Sequence, residues 1–209
     1  MLFFSRVVTL SGNPRRSAPW AIGMAEYVRA NSGLDVSLWL TDFGAPIGTF
    51  TWAAPIESQA VLADARAKLL TDDRYYDQLE QAVDLIAQPG QDQLLEVVSG
   101  QPAEAPAIGA VATLTTATAL VDRLADAMAW SIEMAQYVTE ATGVRVTLLS
   151  SVYGPLGEMT WAGVQPDVAG VDAVRGKLGT DPEYLRRLTA TKDLFISGSG
   201  YIRQTTRIA

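Results

Sequence analysis

The chain contains no cysteine and no histidine among its 209 residues. Without cysteine it can form no disulfide, no thiolate nucleophile and no Cys-metal site, which fits a reducing cytoplasm. Without histidine it lacks the usual general base near neutral pH, the commonest metal ligand and the usual haem ligand. Catalysis of the Ser-His-Asp or Cys-His type is therefore excluded. We expect no metal and no tightly bound cofactor.

Positive charge is also scarce. Sixteen Lys and Arg residues against 23 Asp and Glu give a net charge of −7, so we expect no nucleic-acid partner, which would need a basic face. We do not expect the start MLFFSRVVTL to be a signal peptide, because Arg6 interrupts its apolar run, and we expect the stretch 107–120 to be too short to span a bilayer. We predict a cytoplasmic protein with no membrane partner. Thirteen arginines against three lysines are typical of a GC-rich bacterial genome.

The chain carries an internal repeat. Residues 20–54 align with residues 130–163, and 15 of 34 aligned positions are identical when Ala45 is left unpaired. The alignment continues downstream, where Asp84-Leu85 matches Asp193-Leu194. An internal repeat of this length indicates that the fold is built from two similar units. It predicts two similar units, residues 1–100 (the first half) and 107–209 (the second half), joined by a Pro/Ala-rich linker at 101–106.

Both halves show the same order of signals. A β-branched strand, 2–10 or 108–116, is followed by a helix with apolar residues at helical spacing, for which Ser17 is the expected N-cap and Gly33 and Gly143 the expected C-terminal glycines. Two strands joined by a Gly-Pro turn come next. The remaining predicted elements are helices at 57–70, 74–87, 167–178 and 182–191 and final strands at 93–99 and 201–208.

The order β-α-β-β-α-β is that of a split ferredoxin-like unit. Helices cover one face of such a sheet, so its other face must be buried against something else. We therefore predict an α+β fold in which two tandem ferredoxin-like repeats pack sheet to sheet as an intramolecular barrel.

The repeat resembles the dimeric α/β-barrel superfamily, in particular its NIPSNAP-like and antibiotic-biosynthesis-monooxygenase-like members. The resemblance rests on Trp52 and Trp161 in the third strands, on the R-x-K-L helix ends at 66–69 and 175–178, and on the T-D-x-x-Y stretches at 71–75 and 180–184. It implies a single-chain version of a barrel that relatives build by dimerising. Family members include cofactor-free oxygenases, isomerases and haem-handling enzymes, so the resemblance alone selects no reaction.

Candidate site residues lie on the strand face that we expect to look into the space between the two sheets. They are Asp35, Ser37, Trp39, Thr49, Arg145, Thr147, Glu158 and Thr160. The halves differ here, because Arg145 replaces Asp35 and Glu158 replaces Thr49. Glu158, or in its place Asp35, is the candidate catalytic base, its pKa raised by burial, and Arg145 is the candidate group that binds an anionic or enolate oxygen. The alternative is that these charges are solvated strand ends or form a simple ion pair.

Two functions follow as hypotheses. In the first, the protein binds a small apolar or aromatic molecule between its sheets and acts on it by cofactor-independent oxygenation or isomerisation. In the second, it is a non-catalytic module for oligomerisation or partner binding. A homo-oligomer is compatible with both, since external helix faces can still associate. The sequence does not decide whether the protein is an enzyme.

Overall fold

The computed structural model describes residues 1–11, 14–100, 105–191 and 193–209, so residues 101–104 of the predicted linker lie outside it. The described residues form eight strands and six α-helices, with a short 3-10 turn before the fourth helix. The strands are β1 Leu2–Leu10, β2 Ser37–Phe43, β3 Thr49–Ile56, β4 Ile86–Ser99, β5 Val111–Thr118, β6 Val146–Tyr153, β7 Glu158–Gln165 and β8 Tyr201–Arg207. The helices are α1 Pro14–Ser32, α2 Gln59–Leu70, α3 Asp73–Glu80, α4 Leu124–Thr142, α5 Val168–Gly179 and α6 Pro182–Thr189.

The eight strands form one closed antiparallel barrel in the order β1-β3-β2-β8-β5-β7-β6-β4. Within it, β4-β1-β3-β2 and β8-β5-β7-β6 each follow the order of a ferredoxin-like sheet. The two sheets are hydrogen-bonded along both edges, where Thr41 lies opposite Thr205 and Val97 opposite Leu149. The sheets thus face each other across an interior because they are joined edge to edge. This closure pairs every barrel strand on both sides.

Side chains alternate between the outside and the inside of the barrel along each strand. Leu38, Phe50 and Trp52 face outward and pack with α1 in the first-half core. Leu148 and Met159 face outward and pack with α4 in the second-half core. The helices therefore cover the outer surface of the sheets. No helix within the described ranges is long and apolar enough to cross a membrane.

The ends of the long helices agree only partly with the prediction. Gly33 and Gly143 follow α1 and α4 with φ of 82° and 78°, a left-handed conformation that suits glycine, as predicted. The prediction of Ser17 as N-cap is wrong, because α1 already begins at Pro14 and Ser17 is buried within it. The helix therefore begins about one turn earlier than predicted, and Pro19 lies inside it.

Strand β4 is seven residues longer at its start than predicted, and α3 correspondingly ends at Glu80 instead of residue 87. The pairing of β4 with β1 shifts between Val7–Gln91 and Thr9–Gln88. Pro89 and Gly90 lie in this irregularity, and proline has no amide hydrogen for a sheet ladder. The apolar residues of this stretch mimic helical spacing, whereas pairing with β1 decides its conformation.

Candidate functional site

Six of the eight predicted site residues face the barrel interior. They are Ser37, Trp39, Thr49, Thr147, Glu158 and Thr160, as the registers of β2, β3, β6 and β7 require. Glu158 lies at the barrel end formed by the β2–β3 and β6–β7 hairpins. Ser37 and Trp39 lie near the start of β2, at the opposite end. The interior-facing residues are therefore spread along the barrel and do not form one cluster.

The other two predicted residues, Asp35 and Arg145, lie outside the barrel. Each precedes a strand, and the Asp35 side chain is 64% exposed, 4.0 Å from the Arg29 Nε. Arg145 is exposed just before β6. Because β6 and β7 are antiparallel, the start of β6 lies opposite the end of β7, a full strand length from Glu158. The structure thus separates Arg145 from Glu158.

Glu158 is a buried carboxylate, only 8% exposed, to which no described residue donates a hydrogen bond. Burial raises its pKa, and the positive charge of Arg203 opposes that shift in part. Arg203 lies on β8, faces the interior, and was not identified in the sequence analysis. Its Nε also lacks a partner within the described part of the chain. The equivalent residue of Glu158, Thr49, is instead hydrogen-bonded to the Pro46 carbonyl at 2.7 Å.

Some of the other interior polar groups satisfy one another, whereas the hydroxyls of Thr41, Thr51 and Ser151 have no partner among the described residues. The Trp39 Nε1 donates to the Ser37 Oγ at 3.0 Å, and that hydroxyl donates to the Ala53 carbonyl at 3.1 Å. The hydroxyls of Thr116 and Thr160 lie 3.0 Å apart. Because these groups already have partners, they support strand pairing.

Two cavities lie on the opposite, outer faces of the sheets, beneath the helices. The larger, which we call the first-half cavity, has a volume of about 340 Å³, within the range of small-molecule sites. Most of its wall is apolar and comes from β1, β3, α1 and α3. Its lining includes Phe4, Val8, Trp20, Met24, Val28, Val36, Trp52, Leu79 and Ile86. Trp20 and Trp52 meet edge to face there, with ring centroids 6.0 Å apart.

A pair of charges lies in the wall of the first-half cavity. The Arg6 Nε and Nη2 donate to the two Asp92 carboxylate oxygens at 2.7 and 2.8 Å. These bonds raise the pKa of Arg6, and Tyr75, which also lines the cavity, adds to the shift. Both charged side chains are more than one-third exposed, so solvent screens the pair. The cavity thus combines an apolar wall with a guanidinium group at its edge.

The two homologous tryptophans differ in hydrogen bonding. The Trp161 Nε1 donates to the Ser131 carbonyl at 3.1 Å. The Trp52 Nε1 is buried without a partner among the described residues. An unpartnered buried donor costs about 1–3 kcal/mol. Trp52 lines the first-half cavity, so a hydrogen-bond acceptor bound there could remove that cost.

The second-half cavity has a volume of about 160 Å³, roughly half that of the first. Phe195 contacts both Trp130 and Trp161 edge to face, with ring centroids 5.6 and 5.9 Å apart. The residue equivalent to Phe195 in the first half is the smaller Ile86. The strand registers also show that Thr115 and Ile202 take the places of Arg6 and Asp92. The second half thus has a smaller cavity without the ion pair.

The sequence analysis did not identify Arg6 and Asp92 as site residues. It also did not predict that the Trp52 N–H group lacks a hydrogen-bond partner among the residues described. Opposite charges on neighbouring strands of a ferredoxin-like sheet can indicate an ion pair across those strands. Asp92, however, lies one residue before the predicted final strand, so its alignment with Arg6 was hidden. Within the described ranges, no group of three or more acidic residues could hold a metal ion.

Comparison with known proteins supports the fold. No protein-family model matches the sequence, and a comparison with curated proteins finds no significant match. Similar solved structures include a protein of Fusobacterium nucleatum named provisionally as a monooxygenase (TM-score 0.70, 10% identity, 100% of this chain and 92% of that chain). A Lactobacillus acidophilus protein named in the same way has a TM-score of 0.62 at 11% identity, over 99% and 93% of the two chains. An anthrone oxidase-like protein has a TM-score of 0.64 at 12% identity, over 100% and 91%.

These likenesses define a class of structure. The chain has the dimeric α/β-barrel fold, as its resemblance to that superfamily implied. At such low identities the comparisons establish the fold alone.

Proposed function

We propose that the protein binds a small, largely apolar or aromatic molecule in the first-half cavity. The observation that carries this proposal is the buried, unpartnered Trp52 N–H in the wall of an apolar cavity of about 340 Å³. The ligand is one that presents an oxygen acceptor to this donor and, at the cavity edge, to Arg6. The site lies beneath the helices, whereas the sequence analysis placed it between the sheets.

The difference between the halves supports the choice of the first half. Ile86 leaves open the volume that Phe195 fills in the second half, and only the first half has the Arg6–Asp92 pair. We propose that the two halves are tandem repeats, residues 1–100 and 107–209, of which one keeps a roomy ligand site. Both tryptophan pairs serve in packing, and the first pair also borders the ligand site proposed here.

For the reaction, we propose cofactor-independent oxygenation or isomerisation of the bound molecule. Proteins named provisionally as monooxygenases share the fold, which supports this choice as an analogy. In this site Arg6 stabilises negative charge that develops on a substrate oxygen at the cavity edge. Glu158 faces the other side of the sheet, so it takes no part in this site.

The competing function, a partner-binding module, has one observation in its favour. Large apolar side chains are exposed at equivalent positions of the two hairpins at one end of the barrel: Phe43, Ile47, Tyr153 and Leu156. Exposed apolar patches mark interaction surfaces. Sedimentation analysis that shows a defined oligomer, lost in an Ile47→Ser and Leu156→Ser double variant, would favour this module.

The proposed site is tested with 2-naphthol, an aromatic molecule that carries one oxygen. We expect saturable binding that shifts the Trp52 side-chain N–H signal in NMR spectra. Ile86→Phe fills the first-half cavity and should weaken binding at least tenfold. Phe195→Ile, the reciprocal exchange, is the matched control and should leave the affinity measured at the Trp52 signal unchanged.

A second variant guards against an Ile86→Phe protein that folds poorly. Trp52→Phe keeps the aromatic wall and removes only the N–H donor, so it should weaken 2-naphthol binding about fivefold, as expected for one neutral hydrogen bond. Binding to this variant is followed at the side-chain N–H signal of Trp20, which also lines the cavity. Equal affinities for the native protein and both first-half variants would place the ligand elsewhere. Native mass spectrometry of the purified protein adds an independent check, because a co-released small molecule supports a ligand-binding role.

A further inference from the structure

The second-half cavity contains two polar side chains that have apolar counterparts in the first half. Gln165 and Thr113 both line it. The strand registers place Gln165 at the position of Ile56 and Thr113 at the position of Phe4. At these two positions the second half is polar and the first half is apolar. At the positions of Arg6 and Asp92 the difference is reversed, because the charged residues are in the first half.

Each polar group has a buried oxygen without a partner in the described part of the chain. Gln165 is only 4% exposed, and both its Oε1 and the Thr113 Oγ1 lack a hydrogen-bond partner within the described residues. A buried amide oxygen without a partner destabilises the folded chain, and isoleucine at the same position avoids that cost. A bound molecule that donates a hydrogen bond to these oxygens would remove this cost.

The remaining wall of the second-half cavity bears no charge and is mostly apolar, with the hydroxyl side chains of Thr115 and Tyr184 as the exceptions. It includes Trp130, Met134, Val138, Trp161, Leu178 and Leu188. A closed apolar cavity of about 150 Å³ is large enough to bind benzene. The volume of about 160 Å³ therefore accommodates a ring-sized molecule, and the absence of charge among the lining residues excludes a tightly bound ion.

We propose that the second-half cavity is a separate binding site for a flat, uncharged molecule of one or two rings that carries one N–H or O–H donor. The donor binds the Gln165 Oε1, and the rings pack against Trp130 and Trp161. Rotation about the terminal side-chain torsion of glutamine is soft, so the amide can turn toward the ligand at little cost. The first-half cavity offers donors to a ligand, whereas this cavity offers an acceptor. The proposal does not depend on ligand binding in the first half.

Three probes of nearly the same shape test it: indole has an N–H donor, benzofuran has an oxygen acceptor, and indene has neither. Each is titrated into the full chain, and the side-chain signals of Gln165 and Trp161 are followed by NMR. We expect indole to shift both signals and to bind roughly five- to tenfold more tightly than indene, the gain typical of one neutral hydrogen bond. Benzofuran should bind no more tightly than indene.

Gln165→Ile is the matched variant, because it restores the residue that the first half already accommodates at this position. It should fold, bind indene as well as the native protein does, and lose the preference for indole. Thr113→Val should keep most of that preference. Failure of all three probes to shift Gln165 and Trp161 would overturn the proposal. So would equal affinities for indole and indene, tightest binding of benzofuran, or a preference for indole that persists in Gln165→Ile.

Discussion

Replacing the two homologous tryptophans by phenylalanine should have unequal effects on stability. Trp52 and Trp161 occupy equivalent positions and each packs edge to face on a helix tryptophan, at 6.0 and 5.9 Å. The exchange removes a similar apolar area from both. The two exchanges differ in the N–H group that they remove. The Trp161 Nε1 donates to the Ser131 carbonyl at 3.1 Å, whereas the Trp52 Nε1 has no partner among the described residues.

The magnitude follows from these two environments. A neutral hydrogen bond contributes about 1 kcal/mol net to folding, and a buried unpartnered donor costs about 1–3 kcal/mol. Trp161→Phe loses the first contribution, while Trp52→Phe removes the second cost. The unfolding free energy of Trp161→Phe should therefore lie about 2–4 kcal/mol below that of Trp52→Phe.

Urea denaturation of the ligand-free protein measures this difference. With an m-value of about 2 kcal/mol per molar urea, the midpoint of Trp161→Phe should lie roughly 1–2 M below that of Trp52→Phe. Unchanged m-values in both variants are the control that the unfolding transition itself is preserved. Equal midpoints, or a lower midpoint for Trp52→Phe, would refute the reasoning, since they would mean that the Trp52 N–H is satisfied in the free protein.

Three further predictions concern stability. Glu158→Gln should raise the unfolding free energy at pH 8, because burial raises the pKa of Glu158 and disfavours its ionised form in the folded protein. This gain should vanish as the pH falls below 4.5, the ordinary pKa of a glutamate, where the carboxyl group is protonated in both states. Urea titrations of both proteins at pH 8 and below pH 4.5 measure the difference. Gly44→Ala should destabilise more than Gly143→Ala in thermal unfolding: both have positive φ, but only at Gly44 would the new Cβ meet a backbone atom, the Ile202 carbonyl oxygen, at 2.2 Å. Leu148→Ala should cost about 2–5 kcal/mol in urea denaturation, because this side chain is fully buried on the outer face of the barrel.

The fold could be predicted from the sequence because its signals are local and repeated. Both halves show the same signals: a strand such as β2 with alternating side chains, a glycine after the long helix, and the same order of elements. The pattern in one half therefore supports the prediction made for the other. The N-terminus of α1 and the start of β4 could not be placed. Helix α1 begins at Pro14, ahead of the predicted Ser17 cap, and at β4 long-range pairing with β1 outweighs the local pattern.

The candidate site could be predicted only in part. Alternation along the strands put Glu158 and Trp39 on the face opposite the helices, and the structure places both toward the barrel interior. Arg145 lies just before its strand, where alternation no longer fixes direction, and it is exposed. The proposed ligand site lies on the other face, because cavity volume depends on how helix and sheet side chains fill the space between them.

The sequence by itself determined the repeat, the α+β class, and the absence of histidine and cysteine chemistry, because each follows from residue identity or short-range spacing. The tertiary structure decided which residues share a space. Arg6 meets Asp92 across 86 positions of sequence, and Phe195 fills a volume that Ile86 leaves open. Such contacts arise from strand register and three-dimensional packing, so two copies with the same local pattern hold cavities of different size and polarity.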